Sequence, residues 1–176
     1  IAANEIDNLV LNLFGHSVYH IALIDYRNNH FTVVDYGAIL TDAGTPFNER
    51  LEKIYDSLTA LIEKYKPEAM SVEKVFYNNN AKTVIDVSQA RGVIMLAAQK
   101  NGVSVFEYTP LQVKQSVVGY GRAEKKQIQE MTRRILAMEK VPKPDDTADA
   151  LAMAICHAHS SGSLSSIGNM RIRRGI

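Results

Sequence analysis

The segment PDDTADALAMAICHAH, residues 144–159, begins with Asp145, Asp146 and Asp149, continues through small apolar residues, and carries His157 and His159 near its end. Carboxylates at a helix start have an ordinary use, because they accept orphan backbone N–H groups and complement the macrodipole. They can also do chemistry. At about 3.6 residues per turn, Asp146, Asp149, Met153 and His157 fall along one face, whereas Asp145 points about 100° away and suits a simple cap. Glu73 is out of place in a different way: it interrupts MSVEKVF, which reads as a buried parallel strand where apolar residues are expected. A buried carboxylate without a partner is expensive, so Glu73 should be paired with a base or bound to a metal. One carboxylate from a strand and two from a helix start could converge on hard cations. Mg²⁺ prefers oxygen ligands and keeps waters for substrate phosphates. Two such ions about 4 Å apart can clamp the attacking and leaving oxygens of a phosphodiester. Spacing alone leaves both the structural and the metal reading open.

Bringing residue 73 to residues 146 and 149 is a task for the elements between them. Segments 18–26 and 30–40 are rich in β-branched and aromatic residues and are joined by Arg27, Asn28 and Asn29, where asparagine tolerates the left-handed conformation of a tight hairpin. With 8–15 as a preceding strand, they predict a three-stranded antiparallel meander. Thr45 then reads as an N-cap with Pro46 at the first helical position, and Phe47, Leu51, Ile54, Leu58, Leu61 and Tyr65 form one apolar stripe. Segment 69–77 reads as a strand, and a turn at Asn78, Asn79 and Asn80 leads to a helix over 81–100 that stops at Asn101-Gly102. A strand over 103–108 precedes a short helix from Thr109-Pro110, broken at Gly119-Tyr120-Gly121. A helix over 123–138 turns Ile128, Met131, Ile135 and Met138 inward.

The order β-β-β-α-β-α-β-α-α predicts an α/β fold: a mixed five-stranded sheet, its three antiparallel strands first, with helices on both faces. One domain over 1–160 is expected, followed by a flexible tail over 161–176 whose Arg171, Arg173 and Arg174 read as solvated.

Composition narrows the setting. The chain has 176 residues and a formal net charge of +1, which argues for no blanket attraction to nucleic acid but leaves room for a local basic patch. The single cysteine, Cys156, lies among alanines and isoleucine and reads as a core thiol; it rules out an internal disulfide framework and a multi-cysteine metal site. No apolar run approaches the roughly 20 residues of a membrane-spanning helix, so a cytoplasmic location is expected.

Three blocks, VEKVFYNNNAKTVIDVSQARGV, VFEYTPLQVKQSVVGYGRAEK and DDTADALAMAICHAH, resemble the RuvC family of Holliday junction resolvases, which have an RNase H-like fold. The similarity runs from about Tyr26 to His159, with the blocks in the family's order. The resemblance implies an endonuclease that acts as a homodimer, nicks four-way DNA junctions in pairs in recombination and repair, uses Mg²⁺ or Mn²⁺ with two ions per site, and works with the RuvA–RuvB branch-migration proteins. It implies metal-binding acids at Glu73, Asp146 and Asp149, with His157 a weaker candidate, and catalytic lysines at Lys114 and Lys125. Phe76 matches the aromatic position that stacks a base at the junction core, and Tyr77, Lys82 and Arg91 join Lys114 and Lys125 as expected DNA contacts.

In one respect the chain departs from the family. The family opens with a strand of the form I-x-G-I-D-P-G whose aspartate binds metal, and alignment back from LIDYRNNHF puts Leu13 at that place, with only Gly15 retained. Neither Leu13 nor Asn12 can replace a carboxylate that bridges cations. Three readings stay open: residues 1–17 are an altered segment; Asp7 reaches the site from a shifted strand; or the protein binds junctions with weakened cleavage. Another RNase H-like nuclease activity, on RNA or other branched DNA, is a further alternative.

Overall fold

The computed structural model describes residues 8–12, 17–74 and 81–165, with the backbone alone at 8–12, 81–83 and 162–165. The elements are β1 (Asn8–Asn12), β2 (Val18–Arg27), β3 (His30–Leu40), α1 (Phe47–Tyr65), β4 (Ala69–Glu73), α2 (Ala81–Lys100), β5 (Ser104–Tyr108), α3 (Pro110–Val118), α4 (Lys125–Ile135) and α5 (Asp145–Ser165). The strands lie in the order β3-β2-β1-β4-β5. The meander is antiparallel, β1 to β2 and β2 to β3, while β1, β4 and β5 run parallel. Asn28 and Asn29 both have positive φ, 53° and 65°, the requirement of a type I′ hairpin whose twist matches its strands.

Alternation along β2 divides the core in two. Tyr19, Ile21 and Leu23 pack with Ile54, Leu58 and Ile62 of α1, Met70 and Val72 of β4, and Ile94, Ala97 and Ala98 of α2. Ala22 and Ile24 pack on the opposite face with Leu151, Met153 and Ile155 of α5. The alanines of α5 explain its placement. Ala148, Ala150, Ala152, Ala154 and Ala158 are each at most 1% exposed, and their small side chains let the helix lie between the sheet and the α3–α4 layer. Cys156 is a buried free thiol in the same layer, and burial raises its pKa.

Local signals were mostly obeyed, with four differences. Pro46 takes the N-cap position of α1 with ψ of 140° and no side-chain cap bond, so Thr45 is not the cap. An extended Pro46 delays the helix by one residue, and Arg50 instead ties its start down by donating to Thr41 Oγ1 at 3.1 Å and Ser17 Oγ at 3.3 Å. Met131 faces outward at 37% exposure, because the buried face of α4 runs through Ile128, Gln129 and Thr132 and leaves Met131 at its flank. The domain boundary expected at 160 falls inside α5, whose backbone ladder continues to Ser165. The sequence pattern predicts one strand over 69–77, whereas β4 spans Ala69–Glu73, and residues 75–77 lie outside the described residues. The remainder of the expected tail, with Arg171, Arg173 and Arg174, lies outside the described residues, as do Asp7, Leu13 and Gly15. Among the described residues no helix is long and apolar enough to cross a membrane.

Leu23 is fully buried in a strand covered on both faces. Leu23→Ala is expected to cost about 2–5 kcal/mol in urea unfolding, the range for a cavity in a packed core. Leu40→Ala, at a side chain 60% exposed, should stay within about 0.5 kcal/mol of the parent.

Candidate active site

The site lies where the strand order changes direction. β1 and β4 are parallel neighbours, Leu11 pairs with Val72, and β1 therefore ends beside Glu73 at the carboxyl end of β4. Crevices at such switch points, outside the carboxyl ends of strands, are where α/β sheets take ligands. Glu73 in turn pairs with Tyr108, the last residue of β5. Immediately afterwards a capping box starts α3: Thr109 Oγ1 accepts from the Gln112 N–H at 3.1 Å, and Gln112 Oε1 accepts from the Thr109 N–H at 2.8 Å. Gly119, with φ of 85°, ends α3 in the left-handed conformation that glycine tolerates. A second capping box, between Glu124 and Gln127, starts α4 at Lys125. The starts of α3, α4 and α5 thus surround the end of β4.

Glu73, Lys114, Lys125 and Asp149 line one cavity of about 280 Å³, with Val113, Ile128 and Met153 among its apolar walls. Burial pushes the Glu73 carboxyl up to about 7, and the negative charge of Asp149 adds to the rise. Burial also raises Asp149, although the Lys125 ammonium opposes the shift. Lys125 Nζ stands 3.4 Å from Asp149 Oδ2, 3.9 Å from Asp146 Oδ1 and 3.7 Å from Asp145 Oδ2. Partial desolvation works against its charge, but the three aspartates prevail and its pKa is raised. A lysine at the first residue of a helix opposes the macrodipole, and here the acids of α5 supply the compensation.

The donor set suits a hard cation. Two partly buried carboxylates share a cavity: burial and the Asp149 charge raise Glu73, burial and the neighbouring Asp146 and Asp145 raise Asp149, a repulsion that a divalent ion would relieve, and their ligating atoms are oxygens. Among the described residues, however, no three histidine, cysteine or carboxylate side chains form a ready-made ligand cluster. Glu73 and Asp149 both line the cavity, whereas Asp146 stands 3.9 Å from Lys125, one of the other lining residues.

Several expected site residues are placed elsewhere or differently. Asp145 is not a simple cap: its carboxylate accepts from Lys143 Nζ at 2.7 Å and faces Lys125, and the bond from Lys143 above all holds its pKa below the usual carboxylate range. His157 shares the helix face of Asp149 but does not line the cavity. It is 2% exposed, its Nδ1 hydrogen-bonds Tyr108 Oη at 2.8 Å, its ring packs 4.7 Å from that of Phe106, and burial lowers its pKa to about 4. Those contacts are the ones a core histidine makes, away from the cavity lining. Arg91, expected to contact DNA, forms an ion pair with Glu107 that ties α2 to β5. Phe76 and Tyr77 lie outside the described residues, and Lys82 is placed only as backbone in the first turn of α2. His159 is exposed and sits edge-on to Phe31 at 5.6 Å.

The residue that sequence reasoning missed is His20. It is 4% exposed on β2, its Nδ1 lies 3.3 Å from Thr147 Oγ1, and its Nε2 lies 3.7 Å from Asp146 Oδ2. The signal was available, since His20 interrupts the buried strand VYHIALIDY just as Glu73 interrupts MSVEKVF.

Glu73 holds its proton more tightly in the folded chain, at about 7, than at the ordinary value of 4.5. The folded protein therefore loses stability as pH rises from about 4.5 to about 7, and the loss is then constant. Glu73→Gln removes it. In chelator-treated protein this variant is expected to gain about 1–3 kcal/mol of unfolding free energy near about pH 8 and nothing near about pH 4. Urea melts at the two pH values check this, and equal stability of parent and variant at the higher pH would contradict the assignment.

A family model for crossover junction endodeoxyribonuclease RuvC matches residues 14–157. A crossover junction endodeoxyribonuclease RuvC of Caldanaerobacter subterraneus subsp. tengcongensis is 53% identical over 146 residues, covering 83% of this chain and 88% of that protein. Its counterpart in Ruminiclostridium cellulolyticum is 51% identical over 157 residues, covering 89% and 95%. Among solved structures, Thermus thermophilus RuvC in complex with a Holliday junction substrate superposes with a TM-score of 0.81 at 25% identity, covering 89% of this chain and 95% of that one. The yeast mitochondrial Holliday junction resolvase, at 12% identity and a TM-score of 0.66, shares the fold. With Glu73, Asp149, Lys114 and Lys125 around one cavity and similarity of this extent, the chain belongs to the RuvC family of crossover junction endodeoxyribonucleases.

Proposed function

We propose that this protein resolves four-way DNA junctions by metal-dependent, paired nicking of phosphodiester bonds. The observation that carries the reading is the convergence of two acids and two lysines on one cavity at the carboxyl end of β4. The relatives are named as nucleases, which favours cleavage over junction binding alone. In this reading Glu73, Asp146 and Asp149 hold the ions, two Mg²⁺ per site with Mn²⁺ able to substitute. When bound, such ions supply Lewis-acid stabilisation and an activated water for hydrolysis of the phosphodiester.

The chain's own residues prepare the phosphate. Lys114 on α3 and Lys125 on α4 both line the cavity, and their ammonium groups attract a phosphate and counter the negative charge that develops on it. Val113, Ile128 and Met153 give the cavity a dry wall, which strengthens every charge interaction inside it. Phe76 and Tyr77, with residues 78–80 and Lys82 at the start of α2, are proposed to probe the opened centre of the junction.

Paired nicks need paired sites, and α2 offers a surface for a homodimer. Ile85, Gly92 and Leu96 lie on one exposed face, with Ile85 65% and Leu96 53% exposed, and Ser88 and Gln89 beside them add no charge. Exposed apolar residues grouped on one face mark an interaction surface. A cytoplasmic setting and cooperation with the RuvA–RuvB branch-migration complex belong to the same proposal.

A synthetic mobile junction with Mg²⁺ tests the chemistry. Glu73→Gln, Asp146→Asn and Lys125→Ala should each slow nicking by about 10²-fold or more while junction binding in chelator persists. Nicking at the parent rate by the first two variants would remove the assignment. For the dimer, Leu96→Glu should sediment as a monomer and lose coordinated double nicking; an intact dimer would exclude the α2 face.

A further inference from the structure

The side chain of Asp146 is bracketed, with one oxygen turned to each side. Oδ1 faces Lys125, whose side chain is 51% exposed, at 3.9 Å. Oδ2 faces the imidazole of His20, whose side chain is 5% exposed, at 3.7 Å from Nε2. Lys125 is a flexible chain open to solvent. His20 is different: it is fixed in the middle of the sheet, on the face that packs against α5, and its strand partner is Asn12, the residue at which β1 ends. Its other nitrogen, Nδ1, is engaged by the hydroxyl of Thr147, a residue 2% exposed and next to Asp146 in the chain. With Thr147 Oγ1–H donating to Nδ1, the neutral tautomer carries its proton on Nε2, so the N–H points toward Asp146 Oδ2.

An imidazole in this place serves no evident packing purpose, because a β-branched or aliphatic residue would fill the strand position without burying polar atoms. Ordinary core histidines satisfy their nitrogens on nearby structural groups, as His157 does on Tyr108. His20 instead directs one nitrogen at the start of α5 and the other at one of the acids proposed to hold the ions. The position is also the one where support is needed. The sequence after β1 supplies no aspartate, so the remaining acids must be held with less help from that strand.

We propose that His20 is a positioning residue for Asp146: oriented by the Thr147 hydroxyl, its imidazole holds the inner carboxylate oxygen so that the outer one stays turned toward Lys125 and the cavity. This rests on the reading of Asp146 as a metal-holding acid. Partners that orient ligating carboxylates are worth about 10–100-fold in metal affinity. His20 does so from a rigid strand, where the carboxylate alone would be free to rotate.

The test is Mn²⁺ titration calorimetry on the full chain, with thermal melts of the same samples. His20→Val keeps a strand-compatible apolar residue and should bind Mn²⁺ about 10–100-fold more weakly while melting within a few degrees of the parent. His20→Gln, which can present an amide N–H near the place of Nε2, should recover most of that loss. Asp146→Asn serves as the reference for losing the acid itself. Parent-like affinity in His20→Val, alongside weak binding in Asp146→Asn, would overturn the role of His20 alone; so would His20→Gln binding no better than His20→Val. Undiminished binding in Asp146→Asn would overturn the reading of the site, and the proposal with it. If His20→Val does not fold, Thr147→Val removes only the orienting hydroxyl and should still weaken Mn²⁺ binding several-fold, whereas unchanged affinity there overturns the proposal.

Discussion

The close approach of α5 to the sheet is the constraint on which the rest depends. Alanines at 148, 150, 152, 154 and 158 allow a helix to lie over the central strands with almost no exposed surface. A larger side chain at Ala148 or Ala152, in the first turns of α5 beside Asp149, would press on its packed neighbours and displace the helix start that carries Asp149. The same contact that forms half of the hydrophobic core therefore sets the separation of the two acids. Packing at this density tolerates little adjustment, which makes the core the rigid support of the site.

That rigidity holds together groups that repel each other. Glu73 and Asp149 are partly desolvated and share a cavity, and the cost appears as raised proton affinity in both. Lys125 offsets part of it from the solvent side, at the start of a helix where a cation is locally unfavourable. Violations of local preference of this kind, a carboxylate in a buried strand and a lysine at a helix start, concentrate at the site and nowhere comparable in α1, where charge follows the dipole with Glu49 first and Lys64 last. Stability is given up locally and recovered from the two apolar layers.

Much of this was legible beforehand because the signals are local. Asn28-Asn29 specifies a hairpin through two left-handed residues, Thr109-Pro110 with Gln112 specifies a capped helix, and Asn101-Gly102 ends another. Glu73 was legible as an anomaly of period and burial. What was not legible shares a cause, since it depended on neighbours distant in the chain. Thr45 had a capping side chain, but Pro46 stayed extended and Arg50 reached back to Ser17 and Thr41. His157 shared a face with Asp149, yet the outcome was decided by Tyr108 and Phe106 on β5. The ion pair of Arg91, an expected DNA contact, with Glu107 on β5 is likewise visible only in the fold.

By itself the sequence determined the element types, the family, and the identity of the acids and lysines, because periodicity, capping and motif spacing are written in neighbouring residues. Its missing aspartate after β1 was equally visible, as an absence at Leu13. Only the tertiary structure decided which polar side chains meet. Parallel pairing of β1 with β4 and burial of α5 brought residues 20, 73, 114, 125, 146 and 149 to one end of the sheet. The physical reason is that burial and pairing are properties of contacts. A histidine in a strand reads the same whatever it packs against, until the fold places Thr147 and Asp146 beside His20.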